Sequence, residues 1–188
     1  MKIIVGISGA TGAIFGIRIL EELRNKGVET HLIMSKWAET TIGVETDYSV
    51  TEVEKLASFV YSASNQAASI SSGSFRVDGM VIAPCSMKTL ASIRIGYAEG
   101  LIARAADVVL KERKKLVLLT RETPFNDIHL ENMLALSRMG AVILPPAPAF
   151  YNKPKDINDI VNHIVARTLD QFDIDNTLTK RWKTHNAE

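Results

Sequence analysis

Residues 5–16 read VGISGATGAIFG: the end of a short apolar strand, a glycine-dense turn, and the start of an apolar helix. Glycines let the backbone approach a phosphate closely, and a helix N-terminus offers unpaired N–H groups and the positive end of a dipole. The spacing departs from the dinucleotide fingerprint G-x-G-x-x-G. Counted from Gly6, hydroxyls stand at Ser8 and Thr11 where that fingerprint needs glycines. The next strand ends in Ser35, where an NAD enzyme presents Asp or Glu to the ribose hydroxyls. The stretch therefore reads as a cradle for a mononucleotide such as FMN. A ligand-free tight turn is the competing explanation.

The pattern repeats outward from this stretch. Lys2–Gly6 is a continuous apolar strand, and a helix opening at Thr11 or Gly12 carries Ile14, Ile17, Leu20 and Leu23 before Lys26-Gly27 closes it. Further strands are expected at the segment ending Leu32-Ile33-Met34, at Gly79–Pro84, at Leu116–Leu119 and at Ala141–Leu144. Helices are expected from near Trp37, near Glu52 and Ser86, over Leu101–Arg113, after a cap at Asp127, and over Asp156–Phe172. Residues 62–75, small and polar, read as a loop, and Pro145–Pro154 as a rigid one. Short apolar strands alternating with helices predict a parallel sheet with helices on both faces, a three-layer α/β/α, Rossmann-like single domain. The expected boundaries are 1–172 for the domain and 173–188 for a polar tail whose large apolar residue is Trp182.

Bulk properties exclude several classes. The chain has 188 residues, 46% hydrophobic and 23% charged, which is ordinary for a globular protein able to bury about 70% of its unfolded surface. Its 22 basic and 21 acidic residues leave a net charge of +1, so neither a nucleic-acid nor a membrane-surface partner is expected. A single cysteine, no signal-peptide pattern and no long apolar run point to the reducing cytoplasm.

Ligands of such sheets bind beyond the carboxyl ends of the strands, and the other candidate clusters lie there. Pro84-Cys85-Ser86-Met87-Lys88-Thr89 turns a strand into a helix with Ser86 as a cap candidate, while Cys85 reads as a buried apolar residue. Thr120-Arg121-Glu122-Thr123-Pro124 follows another strand; Arg121 could clamp a phosphate and Glu122 could move protons. Arg104 and Lys111 share one helix face, with Asp107 and Glu112 at hand to pair with them. Tyr151 sits in the proline-rich loop and Arg167 on the last helix. Histidines 31, 129, 163 and 185 show no metal-ligand spacing, so no metal site is expected. No G-x-S-x-G elbow supports a serine hydrolase.

Beyond these chemical readings, SGATG, Ser35-Lys36, Glu45-Thr46, SGSF at 72–75, DGMVIAPCSMKTLA at 78–91, RAADVVLKER at 104–113, RETP, IHLENML at 128–134 and PAFYNKP at 148–154 resemble the UbiX-type flavin prenyltransferases. The resemblance runs in order from residue 2 to about 172. It implies a flavodoxin-like fold, a homododecamer with active sites at subunit junctions, and the joining of a dimethylallyl group from dimethylallyl phosphate to reduced FMN. The product, prenylated FMN, serves a UbiD-type decarboxylase, and no metal takes part. By the same resemblance Gly9, Ala10, Thr11, Ser35, Ser86, Met87, Lys88, Thr89 and Arg121 contact FMN. Glu45, Glu122, Lys111 and Arg104 match catalytic groups, and Tyr151, Arg167, Lys111 and Arg104 match those that hold the substrate phosphate. Trp182 matches a tail aromatic that helps close the site. Thr11 replaces the usual serine, and Ser92–Gly96 departs from a stretch richer in alanine and asparagine. Those details, with SKWAETT and SSGSF, resemble the branch linked to hydroxyarylic-acid decarboxylase operons. Direct decarboxylation of an aromatic acid, or service as a non-catalytic FMN carrier, are the rival expectations.

Overall fold

A strand that is apolar at every position is stable only when both of its faces are covered. In the computed structural model, which describes residues 1–182, strands of this kind form the centre of a sheet of six. The six are β1 (Lys2–Ile7), β2 (Glu29–Met34), β3 (Phe59–Ser62), β4 (Gly79–Cys85), β5 (Lys115–Thr120) and β6 (Val142–Ile143). All pairings are parallel, in the order β3-β2-β1-β4-β5-β6. Alternate residues feed two cores. Ile3, Val5, Ile7, Val81, Ala83, Val117 and Leu119 face one helical layer. Ile4, Ile33, Met80, Ile82, Leu116 and Leu118 face the other. Each fully buried Ile or Leu contributes about 1.5–3 kcal/mol.

The first layer contains α1 (Ala13–Asn25), α2 (Lys36–Glu45), α3 (Val50–Glu54) and α7 (Ile157–Asp170). The second contains α4 (Met87–Arg94), α5 (Leu101–Lys111) and α6 (Asp127–Arg138), with a 3₁₀ turn at Ser69–Ser71 beside them. This is the expected three-layer, flavodoxin-like architecture. Without its four-residue edge strand the order would read 2-1-3-4-5, the flavodoxin order; with β3 it reads 3-2-1-4-5-6. Among the described residues no helix is long and apolar enough to cross a membrane.

The structure corrects the sequence reading at several places. Strand β3 was not expected, because FVYS is short and stands at the sheet edge with Phe59 and Val60 exposed, so it lacks the buried apolar run of its neighbours. Helix α6 is capped by Asn126 rather than Asp127. The Asn126 carboxamide oxygen accepts from His129 N–H at 2.9 Å, and His129 Nδ1 accepts from Asn126 N–H at 3.4 Å. Strand β6 is shorter than Ala141–Leu144, and β1 runs one residue further, to Ile7.

Candidate functional site

Strand β1 lies between β2 and β4, so the chain reverses direction across the sheet at this point and leaves a crevice beyond the strand ends. Ser8 closes the base of that crevice. Its hydroxyl donates to the Pro84 carbonyl at 2.7 Å and accepts from Ser86 N–H at 2.8 Å, with the side chain buried. The hydroxyl is thereby committed within the protein. It binds the end of β1 to the end of β4.

Above Ser8 opens a cleft of about 280 Å³. Gly9, Ser35, Ser86, Lys88 and Thr89, all expected to contact the flavin, line it. Three helices begin at its wall. Ser35 caps α2 by accepting from Ala38 N–H, Ser86 caps α4 by accepting from Thr89 N–H, and Gly100 precedes α5 with φ of 89°. Three helix N-termini and Lys88 bring positive charge to the cleft, and Glu99 in the same lining brings one carboxylate. Gly9 has no tolerance for a side chain, since a Cβ there would lie 2.3 Å from Trp37 Cβ. A flat ligand with a phosphate fits this combination of open backbone, aromatic wall and helix N-termini.

Glu45 reaches the same turn from the end of α2. Its carboxylate accepts from Gly12 N–H at 2.7 Å and Ala13 N–H at 3.3 Å. Gly12, at φ of 98°, has no side chain with which to cap α1, so a carboxylate 33 positions along the chain does so. The α1 N-terminus is thus already held by an anion from the protein. Ala10 and Thr11 complete the turn between Gly9 and Gly12, and Met87 lies half-buried in the first turn of α4.

Arg121 and Glu122 follow β5 on the same edge. Arg121 N–H donates to the Cys85 carbonyl at 3.1 Å, which sets it next to the start of α4. Glu122 Oε1 accepts from Thr123 N–H at 3.1 Å. Among the described residues Arg121 and Lys88 make no ion pair within the chain. Cys85 is fully buried, and burial pushes its thiol up to about 12, so it is no nucleophile.

The remaining expected residues lie elsewhere. Arg104 donates to the Ser71 carbonyl at 3.1 Å and pairs with Asp107 at 2.8 Å. Lys111 pairs with Glu112 beside Gly73. Helix α5 leads away from the cleft, and its ten residue steps place Lys111 roughly 15 Å from Leu101 at the cleft wall. Tyr151 and Arg167 belong to a third cluster, at the outer side of α7. There Tyr151 meets His163 and Trp182 edge-on, and Arg167 pairs with Asp170 at 2.8 Å. Within one chain none of Arg104, Lys111, Tyr151 and Arg167 lines the cleft, although Arg104 directly follows the lining residue Ala103. His185 lies outside the described residues. Among the described residues no three His, Cys, Asp or Glu side chains gather as a metal ligand set.

Sequence reasoning missed Trp37 and the Gly100–Ala103 wall. A glycine directly before an apolar helix, the signal that exposed the first turn, recurs at Gly100-Leu101 and was available. Trp37 gave no signal of its own; only its 71% exposure beside Gly9 marks it.

Comparison with known proteins places this geometry among flavin enzymes. The flavoprotein family matches residues 1–169. A probable UbiX-like flavin prenyltransferase of Bacillus subtilis is 64% identical over 182 residues, which is 97% of this chain and 89% of that protein. A dodecameric FMN-dependent UbiX-like decarboxylase from Escherichia coli O157:H7 superposes with a TM-score of 0.96 at 61% identity, covering 97% of this chain and all of that one. AnUbiX (PadA1), solved in complex with FMN and dimethylallyl pyrophosphate, superposes with a TM-score of 0.96 at 54% identity over 98% of each chain.

Proposed function

Because this chain belongs to the flavoprotein family, and within it to the UbiX-like flavin prenyltransferases, we propose that it joins the dimethylallyl group of dimethylallyl phosphate to reduced FMN. The observation that carries the reading is the cleft itself. The N-termini of α2, α4 and α5 converge on one space walled by Gly9 and Trp37, as a flavin phosphate and its ring system require. FMN is substrate here, contacted by Gly9, Ala10, Thr11, Ser35, Ser86, Met87, Lys88, Thr89 and Arg121.

The reaction breaks the allylic C–O bond, and phosphate leaves with the electron pair. The allyl carbon bonds to the flavin's central nitrogen, whose proton is released. The prenyl double bond then takes up a proton, and the tertiary carbon so made electrophilic bonds to the adjacent aromatic carbon, which loses its own proton as the fourth ring closes. Departure of an anion needs gathered positive charge. Arg104, Lys111 and Arg167 have that role, Tyr151 adds a hydroxyl donor for the phosphate, Glu122 handles the proton and Glu45 sets the α1 turn. Within one chain Arg104, Lys111, Tyr151 and Arg167 do not line the cleft, which supports a homo-oligomer in which neighbouring copies complete each site; the dodecameric relative supports twelve. The product is handed to a UbiD-type decarboxylase. The reducing cytoplasm suits a reduced flavin, and no step calls for a metal.

Incubation of the purified protein with reduced FMN and dimethylallyl phosphate, followed by mass spectrometry of the flavin, tests the reading. The expected result is a flavin heavier by one prenyl unit. An unmodified flavin, together with decarboxylation of a phenolic acid by this chain alone, overturns it. Glu122→Gln should retain FMN and form the adduct more slowly; adduct formation at the normal rate would remove Glu122 from its role.

A further inference from the structure

Helix α7 carries a buried histidine that the reaction above does not use. His163 lies beneath Tyr151, with ring centroids 5.7 Å apart and planes at 83°. Its Nδ1 stands 3.2 Å from the Thr179 hydroxyl, 16 positions along the chain in the tail. That hydroxyl also accepts from the Asn152 amide at 3.2 Å, and Asn152 adjoins Tyr151. One hydroxyl therefore joins helix, tail and substrate loop. Having accepted from Asn152, it has a single proton to give, and Nδ1 of a neutral His163 is the acceptor in place. Burial, aided by the nearby Arg167 guanidinium, holds His163 below the ordinary histidine range; Asp170 opposes this. A neutral ring is what the network needs.

The tail is bound to α7 at further points. Arg181 forks onto Asp170 with contacts of 2.7 and 3.0 Å, and the same carboxylate holds Arg167. Beyond Arg181, Trp182 lies edge-on to Tyr151 with centroids 5.2 Å apart. Tyr151 is thus gripped between a helix residue and a tail residue, and Thr179 ties the two together.

We propose that His163 is a positioning residue that latches the C-terminal tail through Thr179 and so fixes Tyr151 for the substrate phosphate. The role of Tyr151 rests on the prenyltransferase reading; the latch itself does not.

Three variants of the full-length protein test it: His163→Phe, which keeps a ring under Tyr151 without the acceptor; Thr179→Val, which removes the hydroxyl from the tail side; and His163→Asn, whose carboxamide oxygen can stand near the Nδ1 position. Limited trypsinolysis after Lys180 and Arg181, followed by intact mass, reads tail docking. Cleavage should rise about fivefold in His163→Phe and Thr179→Val, the factor for one net hydrogen bond, and stay near the parent rate in His163→Asn. In the prenylation assay the first two variants should raise KM for dimethylallyl phosphate severalfold, with kcat and FMN affinity much less changed. Parent-like cleavage in His163→Phe, or equally fast cleavage in His163→Asn and His163→Phe, overturns the latch. A loosened tail with unchanged KM overturns its coupling to Tyr151. If the parent protein prenylates no flavin, the substrate reading falls, and cleavage alone still decides whether His163 holds the tail.

Discussion

Gly16 lies inside α1, where a glycine normally weakens a helix by about 0.5–1 kcal/mol relative to alanine. Its presence marks the closest approach of α1 to the sheet. A Cβ at Gly16 would lie 2.3 Å from the Ala83 carbonyl oxygen and 2.9 Å from Ile7 Cδ1. Ordinary contact begins near 3.4 Å, so Gly16→Ala requires the helix to rise about 1 Å. Ile7 could rotate aside, but the Ala83 carbonyl is backbone and cannot. Overpacking of this kind costs about 1–3 kcal/mol, and the rigid partner puts the site at the upper end. After the gain in helix propensity, the net loss is about 2 kcal/mol, or about 4–8 °C in thermal midpoint for a domain of this size. Because α1 carries the Gly9–Ala13 turn with it, FMN affinity should fall in parallel. Gly43→Ala is the matched control. It too lies in a helix, with nothing within 4 Å of the added Cβ, and should raise the midpoint by a few degrees. Calorimetry at one fixed protein concentration, with an FMN titration of each variant, provides the test. A Gly16→Ala midpoint at or above the parent value, or shifts of the same sign in both variants, would refute the packing argument.

Other outcomes follow from single contacts. Glu45→Ala removes the acceptor for the Gly12 and Ala13 amides and should cost about 0.5–2 kcal/mol. Inorganic phosphate should restore part of the loss in a thermal melt, and a variant as stable as the parent without phosphate contradicts the cap. His31 is buried against Phe59, Tyr61 and Phe75, and burial holds it below the ordinary histidine range despite Glu29, which pulls it upward. The unfolded chain therefore binds the proton more readily, and stability should fall as pH drops below about 6.5. His163 shifts the same way. A midpoint that is flat or rising from pH 7 to 5.5, or a decline no smaller in His31→Gln, would contradict this. Cys85, with its thiol pushed up to about 12, should resist alkylation at pH 8 until the protein is unfolded. Rapid labelling of the native protein would count against the burial.

The chain's local order was enough to predict five of the six strands, the helical layers and the loop at the first strand end. Those features follow from short-range physics: uniform apolar runs demand two covered faces, and Gly-rich turns before apolar helices leave amides free. Cap residues were legible to within one position, as Asn126 beside Asp127 shows. Strand β3 was not legible, since an edge strand with one exposed face lacks the pattern that identifies a buried one. At the cleft, residue types indicated a phosphate but not the division of labour. Only the folded chain decides that the Ser8 hydroxyl is used between β1 and β4, that Glu45 caps α1, and that Trp37 forbids a side chain at Gly9.

VGISGATGAIFG by itself determined a strand, a turn and a helix suited to an anion. The tertiary structure decided where the anion can go. The α1 amides are taken by a carboxylate from 33 residues away, while those of α2, α4 and α5 open onto one cleft. Likewise Arg104, Lys111, Tyr151 and Arg167 are readable as cations and phenol, but only the fold shows that none of them lines the cleft and that α5 carries Lys111 away from it. Hydrogen bonds and close contacts between residues distant in sequence leave no periodicity to read, because the fold alone brings those partners within reach.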